Sequence, residues 1–358
     1  MPQAKPERGP GTDFSRRGAL VLLMAGLAGR AAQAATPAPV IPPPPFADAA
    51  VLIIAGPDDA ALSPFGHALK SGLDAVLPSD RALQLRHIGG SDGVTAANQF
   101  EARILPDGQT ALLVPGAAAM AWLRGDPRAQ FDVGHWLPVA TALVSAVVIL
   151  RQGAATASGL RLAVEGDATM ALPANLGLEL AGHPASKTFV SEDALGELRA
   201  GRADAAFLRG DATGARLAAA RAAGMQALFS LGNLDPTNQL QRDPFLPDVP
   251  TLPELLFTRP QAAPEALLAA WHAAAAASRL DMALLLPWLT PPGLVAWWRG
   301  ACGQIGMPHQ QDPARPELGA TGSRVWRTDP NGNFGLTAIV VDGGTSLALH
   351  RWMTTQPS

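Results

Sequence analysis

The chain has one cysteine, no tyrosine and only 16% charged residues. A single thiol, Cys302, excludes an internal disulfide framework and reads as a small buried hydrophobe. Beyond residue 34 there is no basic run. Residues 1–34 carry five basic and two acidic groups, which leaves 22 basic and 28 acidic groups and a net charge near −6. Nucleic-acid binding therefore lacks its electrostatic footprint. The longest apolar run of the leader, about twelve residues, falls short of the roughly 20 needed to span a bilayer. Seven histidines (His67, His87, His135, His183, His272, His309, His350) never stand four apart as on a zinc helix, and one Cys302–His309 pair makes no metal site. No nucleophile elbow is present either. Gly89-Gly90-Ser91-Asp92-Gly93 lacks the strand–elbow–helix setting, and Asn331 to Gly335 reads as a turn. No cofactor fingerprint occurs, so neither a cofactor nor a metal is expected.

What is present begins with an export signal. Ser15-Arg16-Arg17-Gly18 precedes the apolar Ala19 to Ala28, and Ala32-Gln33-Ala34 offers small residues for cleavage. Basic end, apolar run and small-residue exit predict a signal over 1–34, and the paired arginines favour the twin-arginine route. Six prolines between Thr36 and Pro45 read as an extended tether over 35–46. Periplasmic location follows, with no membrane span once the signal is removed.

Roughly 320 further residues exceed one typical core, so two domains are expected. Short apolar runs alternate with helical patterns from Ala47 onward. Ala50–Ile54, Ala82–Arg86 and Thr110–Val114 read as strands. Between them lie helices from Ser63, with serine as N-cap and Pro64 in the first turn, and from Val94. Leu143–Leu150 reads as a crossover strand. Leu160–Val164, Thr188–Val190, Ala203–Leu208 and Gln226–Leu231 follow as strands, with helices near 173–181, 191–200 and 212–223. Such strand–helix–strand units imply mostly parallel sheets covered on both faces. Thr251-Leu252-Pro253-Glu254 is a capping box, and Ala263–Ser278, Met282–Leu289 and Pro291–Cys302 read as helices. Phe334–Val341 and Thr345–Trp352 around Asp342-Gly343 suggest a β-hairpin, with Arg324-Val325-Trp326 as a third strand. Six of eight tryptophans lie from Trp271 onward and are expected to fill core between the late helices and the tail, or to form a docking surface.

Five pieces in order carry a resemblance: Leu105-Pro106-Asp107-Gly108-Gln109-Thr110 before a strand; Val139–Leu150; Ala194–Leu198 with Gly201-Arg202-Ala203-Asp204-Ala205-Ala206-Phe207; Leu246-Pro247-Asp248-Val249-Pro250-Thr251-Leu252-Pro253-Glu254; and Ala263–Leu267. Behind an export signal, this order resembles the solute-binding receptors of tripartite tricarboxylate transporters, the Bug-type proteins, over about Ala47 to Cys302. The resemblance implies a two-domain, type II periplasmic-binding-protein-like clamshell. Its expected parts are residues 47–142 with 227–318 and an inserted domain over 143–226; the C-terminal hairpin extension over 319–358, read from the tail's own pattern, has no counterpart in the family. It implies capture of a small organic acid, membrane permease subunits as partners, and no enzymatic activity.

In such a fold, strand-to-helix loops aim helix N-termini into the cleft, where backbone N–H groups bind carboxylates. The candidate ligand residues are Ser63, Gly90, Ser91, Thr95, Gly116, Ala117 and Thr169. The first loop, Asp58-Asp59-Ala60-Ala61-Leu62-Ser63, departs from the glycine-rich family loop and puts Ser63 near the position of its aspartate. Asp58 and Asp59 would repel an acid if they faced it. Two other readings stand beside the receptor: a binding-protein-like module serving a sensor or envelope partner, and an exported enzyme.

Overall fold

The computed structural model describes residues 49–78, 81–154, 159–235, 237–259, 262–305, 324–328 and 335–356. The expected signal and tether, and Phe334 of the expected hairpin, lie outside the described residues. No helix among the described residues is long and apolar enough to cross a membrane.

Two sheets organise the chain. The first is built from β1 (Val51–Ala55), β2 (Gln84–Ile88), β3 (Thr110–Pro115), β4 (Leu137–Val144), β12 (Leu280–Leu286) and β13 (Arg324–Arg327), in the order β13-β4-β12-β3-β1-β2. The second contains β5 (Ala146–Leu150), β6 (Leu160–Val164), β7 (Ala185–Val190), β8 (Ala205–Arg209) and β9 (Gln226–Ser230), in the order β7-β6-β8-β5-β9. β1 runs parallel to β2 and β3, and β6 runs parallel to β7 and β8. A two-stranded ribbon, β10 (Asn233–Leu234) with β11 (Leu240–Gln241), stands apart.

Helices α1 (Ser63–Asp74), α2 (Val94–Arg103), α3 (Gly116–Leu123), α4 (Leu172–Leu180), α5 (Ala194–Arg199) and α6 (Thr213–Ala222) connect the strands. Then come α7 (Leu252–Phe257), α8 (Glu265–Arg279), α9 (Pro292–Gln304) and α10 (Gly343–Thr355). The Thr251–Glu254 capping box starts α7 as expected, with the Thr251 N–H donating to Glu254 Oε2 at 2.7 Å.

The crossing between sheets is sharper than the single strand expected over 143–150. β4 and β5 belong to different sheets and are separated by Ser145 alone. The strands either side are buried at every position but the first of β4.

Helix α8 packs against α3, α4 and α10. Its alanines 270, 273, 274, 275 and 277 are buried, and small side chains let the helices approach closely. Trp271 Nε1 donates to the Pro173 carbonyl at 3.0 Å, and Ser278 Oγ to the Met170 carbonyl at 2.7 Å, which ties α8 to the second sheet's α4 region. The tryptophans are mostly core, as expected: Trp271 and Trp298 are fully buried, and Trp326 and Trp352 nearly so, while Trp288 is exposed.

Two expected elements are corrected. Met282–Leu289 is not a helix. Leu280–Leu286 is β12, a central strand hydrogen-bonded antiparallel to β3 and β4. Met, Ala and Leu favour helix locally, but an apolar run this short, buried on both faces, gains more from two ladders than from its propensity. The C-terminal hairpin is also absent. Leu336–Ala338 forms a 3₁₀ turn, and Gly343–Thr355 is the helix α10. The Asp-Gly pair that suggested a hairpin turn is a helix start: Asp342 Oδ1 accepts the Thr345 N–H at 2.8 Å. Arg324–Trp326 does lie in a strand, but that strand pairs with β4.

Candidate functional site

The strand ends determine where the sheets confront each other. β1, β2 and β3 end at Ala55, Ile88 and Pro115, and β4 ends at Val144 on the same edge. β6 and β8 end at Val164 and Arg209. Register then places two arginines around the crossing: Arg209 lies opposite Ala146, and Arg324 lies opposite Val144. They flank Ser145 from either sheet.

A chain of charges joins them. Arg209 Nη2 approaches Asp281 Oδ1 at 3.3 Å, while its Nε and Nη2 donate to the carbonyls of Ser278 and Leu280. Arg324 Nη2 reaches Asp281 Oδ2 at 2.9 Å, and its Nη1 reaches Asp211 Oδ2 at 3.0 Å. Asp211 sits just past β8 of the second sheet, whereas Asp281 and Arg324 sit on the first. Arg324 therefore spans the seam. Its guanidinium also lies 4.5 Å from the centroid of the Phe65 ring, on the first turn of α1, a cation–π contact. Burial pushes the Arg209 guanidinium below its ordinary pKa, with Asp281 opposing that shift.

At this seam Arg324 Nε and Ser145 Oγ are buried with no hydrogen-bond partner among the described residues. The Ser145 carbonyl is used: it accepts the Gly210 N–H at 3.1 Å and the Thr213 hydroxyl at 3.1 Å. Buried donors of this kind cost about 1–3 kcal/mol unless something satisfies them.

Of the residues expected from sequence, Ser63 lies at the start of α1, two positions before Phe65, and is buried. It does not cap the helix. The N-cap is Leu62, and Ser63 Oγ donates to Asp58 Oδ1 at 3.1 Å. The same carboxylate oxygen lies 3.1 Å from His87 Nε2 and 3.7 Å from His67 Nε2. Asp58 is thus engaged by the start of α1 and by His87 of β2.

Gly90, Ser91 and Thr95 lie beyond β2, the outermost strand, separated from Arg324 on β13 by β1, β3, β12 and β4. Ser91 and Thr95 are exposed, and Gly90 has φ +98°. The start of α2 already meets a carboxylate: Asp92 Oδ1 accepts the Val94 N–H at 3.2 Å, and Asp92 Oδ2 pairs with Arg128 at 2.9 Å. Gly116 is buried beneath the end of α8, where an added methyl would collide with the Leu280 carbonyl, and Ala117 is half-buried beside it. The Thr169 N–H is held by Asp167 Oδ1 at 2.8 Å, and the residue lines a separate groove with Arg124 and Lys187.

The structure therefore gathers Phe65, Ser145, Arg209, Asp211, Asp281 and Arg324, which sequence patterns did not single out, while the Ser63 hydroxyl turns to Asp58. Arg324 follows a segment outside the described residues, and only its pairing with β4 brings it to the seam. Among the described residues no group of three or more His, Cys, Asp or Glu side chains could hold a metal ion. Cys302 is fully buried, and burial pushes its thiol up to about 12, so it is no nucleophile.

No family model matches the chain, and no curated protein matches it. Among solved structures, a TctC solute-binding protein from Polaromonas superposes with a TM-score of 0.56 at 16% identity, covering 86% of this chain and 98% of its own. MatC from Rhodopseudomonas palustris with bound malate gives 0.47 at 15% identity over 85% and 98%. The periplasmic binding protein BugD gives 0.47 at 14% over 86% and 97%. Two α/β sheets that exchange chain at a single serine, each presenting its strand ends to the other, make this chain similar in fold to the TctC solute-binding protein.

Proposed function

We propose that the protein is a periplasmic receptor that captures a small organic acid in the seam between its sheets and delivers it to a tripartite tricarboxylate-type transporter. The observation that carries the reading is Arg324. It is a largely buried guanidinium, 17% exposed at the side chain, that bridges the two sheets and keeps one N–H without an acceptor among the described residues. A carboxylate offers the acceptor that this donor lacks, and charge-assisted bonds to arginine are among the stronger ones. Ser145, one residue past the neighbouring strand β4, supplies a hydroxyl, and Phe65 supplies an apolar wall. Gly90, Ser91 and Thr95 are assigned the outer rim; Gly116 beneath α8, Ala117 beside it, and Thr169 in its separate groove are assigned no contact with the acid. The lobes, residues 47–142 with 227–318 and residues 143–226, would close on the acid by bending at the two strands that meet at Ser145. No chemical conversion is assigned to this site.

A second reading has its own support. The chain's carboxylates, Asp92 on α2 and Asp167 on the turn before α4, occupy helix starts that a ligand would otherwise use. This favours a binding-protein-like module serving a sensor or envelope partner.

A thermal-shift panel of mono-, di- and tricarboxylates on the purified protein separates the two, because a ligand that binds only the folded state raises Tm. The receptor reading expects at least one acid to stabilise the wild type and to lose that effect in Arg324→Gln. No shift with any acid, alongside a stable protein partner recovered from the periplasm, selects the module.

A further inference from the structure

A polar groove of about 350 Å³ lies away from the seam, between the end of α3, the turn and helix after β6, strand β7 and the C-terminal helix α10. That volume lies within the range of small-molecule sites. We propose that this groove is a second binding site, for a small organic anion with one apolar face.

The argument rests on its donors. Arg124 comes from the end of α3 and Lys187 from β7, so two cations from different sheets line one hollow. Asn175 Oδ1 accepts the Thr188 hydroxyl at 2.7 Å, which fixes the amide so that its NH₂ group remains as the donor. Carboxylates nearby are already committed. Glu179 Oε2 takes Trp352 Nε1 at 2.6 Å and Gln356 Nε2 at 2.9 Å, and Asp167 holds the Thr169 N–H. The groove is consequently rich in donors and poor in open acceptors, which selects an acceptor-bearing anion over an amine. Trp352 and Met353 of α10 give it an apolar side, suited to the ring or chain of the same molecule. Because α10 supplies that wall, the site depends on a helix that the sequence pattern hid.

The site stands independently of solute capture at the seam, and one experiment keeps them apart. Benzoate is titrated into the full-length protein by calorimetry, with benzamide as the neutral isostere and benzylamine as the cation. Benzoate should bind with a Kd near or below about 1 mM. The Arg124→Ala/Lys187→Ala double variant should weaken it about tenfold or more, since one such charge-assisted bond is worth about that factor. Arg324→Ala should leave benzoate binding unchanged within about twofold. Both cations stand at the surface rim, so a circular-dichroism melt should match the wild type. No benzoate binding in the millimolar range, equal affinity in the double variant, or benzylamine binding as tightly as benzoate would each overturn the proposal.

Discussion

Replacing Arg324 with alanine removes the residue that joins the sheets at the crossing, and the cost can be worked from its surroundings. The wild-type guanidinium makes contacts of 2.9 and 3.0 Å with two carboxylates whose side chains are 18% and 31% exposed. Fully exposed pairs contribute about 0–1 kcal/mol, and breaking a fully buried pair costs about 3–5 kcal/mol. This network lies between those limits. Asp281 retains Arg209 after the substitution, while the Arg324–Asp211 contact across the seam is lost, so about 2–3 kcal/mol is expected. For a folded unit of roughly 310 residues, the usual unfolding entropy per residue converts that into a Tm drop of about 3–5 °C. Differential scanning calorimetry on Arg324→Ala, Asp281→Asn and the double variant measures both the loss and the coupling, with about 1–2 kcal/mol of coupling expected for residues in direct contact. Lysine at 324 should recover little, because a single ammonium cannot span two carboxylates as the planar fork does. A loss below about 0.5 kcal/mol with no coupling would place Arg324 among ordinary surface charges and refute the reasoning.

Three further outcomes are expected. Asp204 is held well below the usual carboxylate range, first by Arg161 and then by Arg151 against a desolvation cost. Its stabilisation is present above the unfolded carboxylate pKa and is lost as pH falls through the folded one. Acid titration of stability should therefore show a steep loss below about pH 4 that Asp204→Asn flattens, with the variant about 2–3 kcal/mol less stable at neutral pH; parallel curves would contradict this. Cys302 should resist iodoacetamide at pH 8 in the native protein and react in denaturant, as mass spectrometry of the adduct would read, since its thiol lies up at about 12. Asp342→Ala should cost about 1 kcal/mol by removing the α10 cap, seen as a lower urea midpoint at unchanged m; no change in midpoint would return Asp342-Gly343 to a plain turn.

Much of the fold was legible where local and tertiary demands agree. Val51–Ala55, Thr110–Val114 and Leu160–Val164 are short, apolar and bounded by turn residues, and they are strands. Thr251 and Glu254 form the capping box that their spacing implies. Cys302 lies in the core. Misreadings arise where one pattern serves two structures. Leu280–Leu286 has a helix-forming composition but sits between β3 and β4, and only the sheet decides. Asp342-Gly343 suits a hairpin turn and a helix start equally, and the buried Leu349 and Trp352 on one face of α10 settle the choice. The seam was the least legible part. Arg209, Asp211, Asp281 and Arg324 are scattered over more than a hundred positions with no spacing of their own. Their meeting follows from which strands neighbour Ser145, and sheet order is not written in local sequence.

The central claim, a small acid held at the seam by Arg324, is tested most directly by native mass spectrometry of the protein purified from the periplasm. The account predicts a one-to-one adduct with a small organic acid that disappears in Arg324→Ala and persists in Arg124→Ala/Lys187→Ala. A wild-type protein that carries no acid even when organic acids are supplied, or an adduct that survives Arg324→Ala, would contradict it.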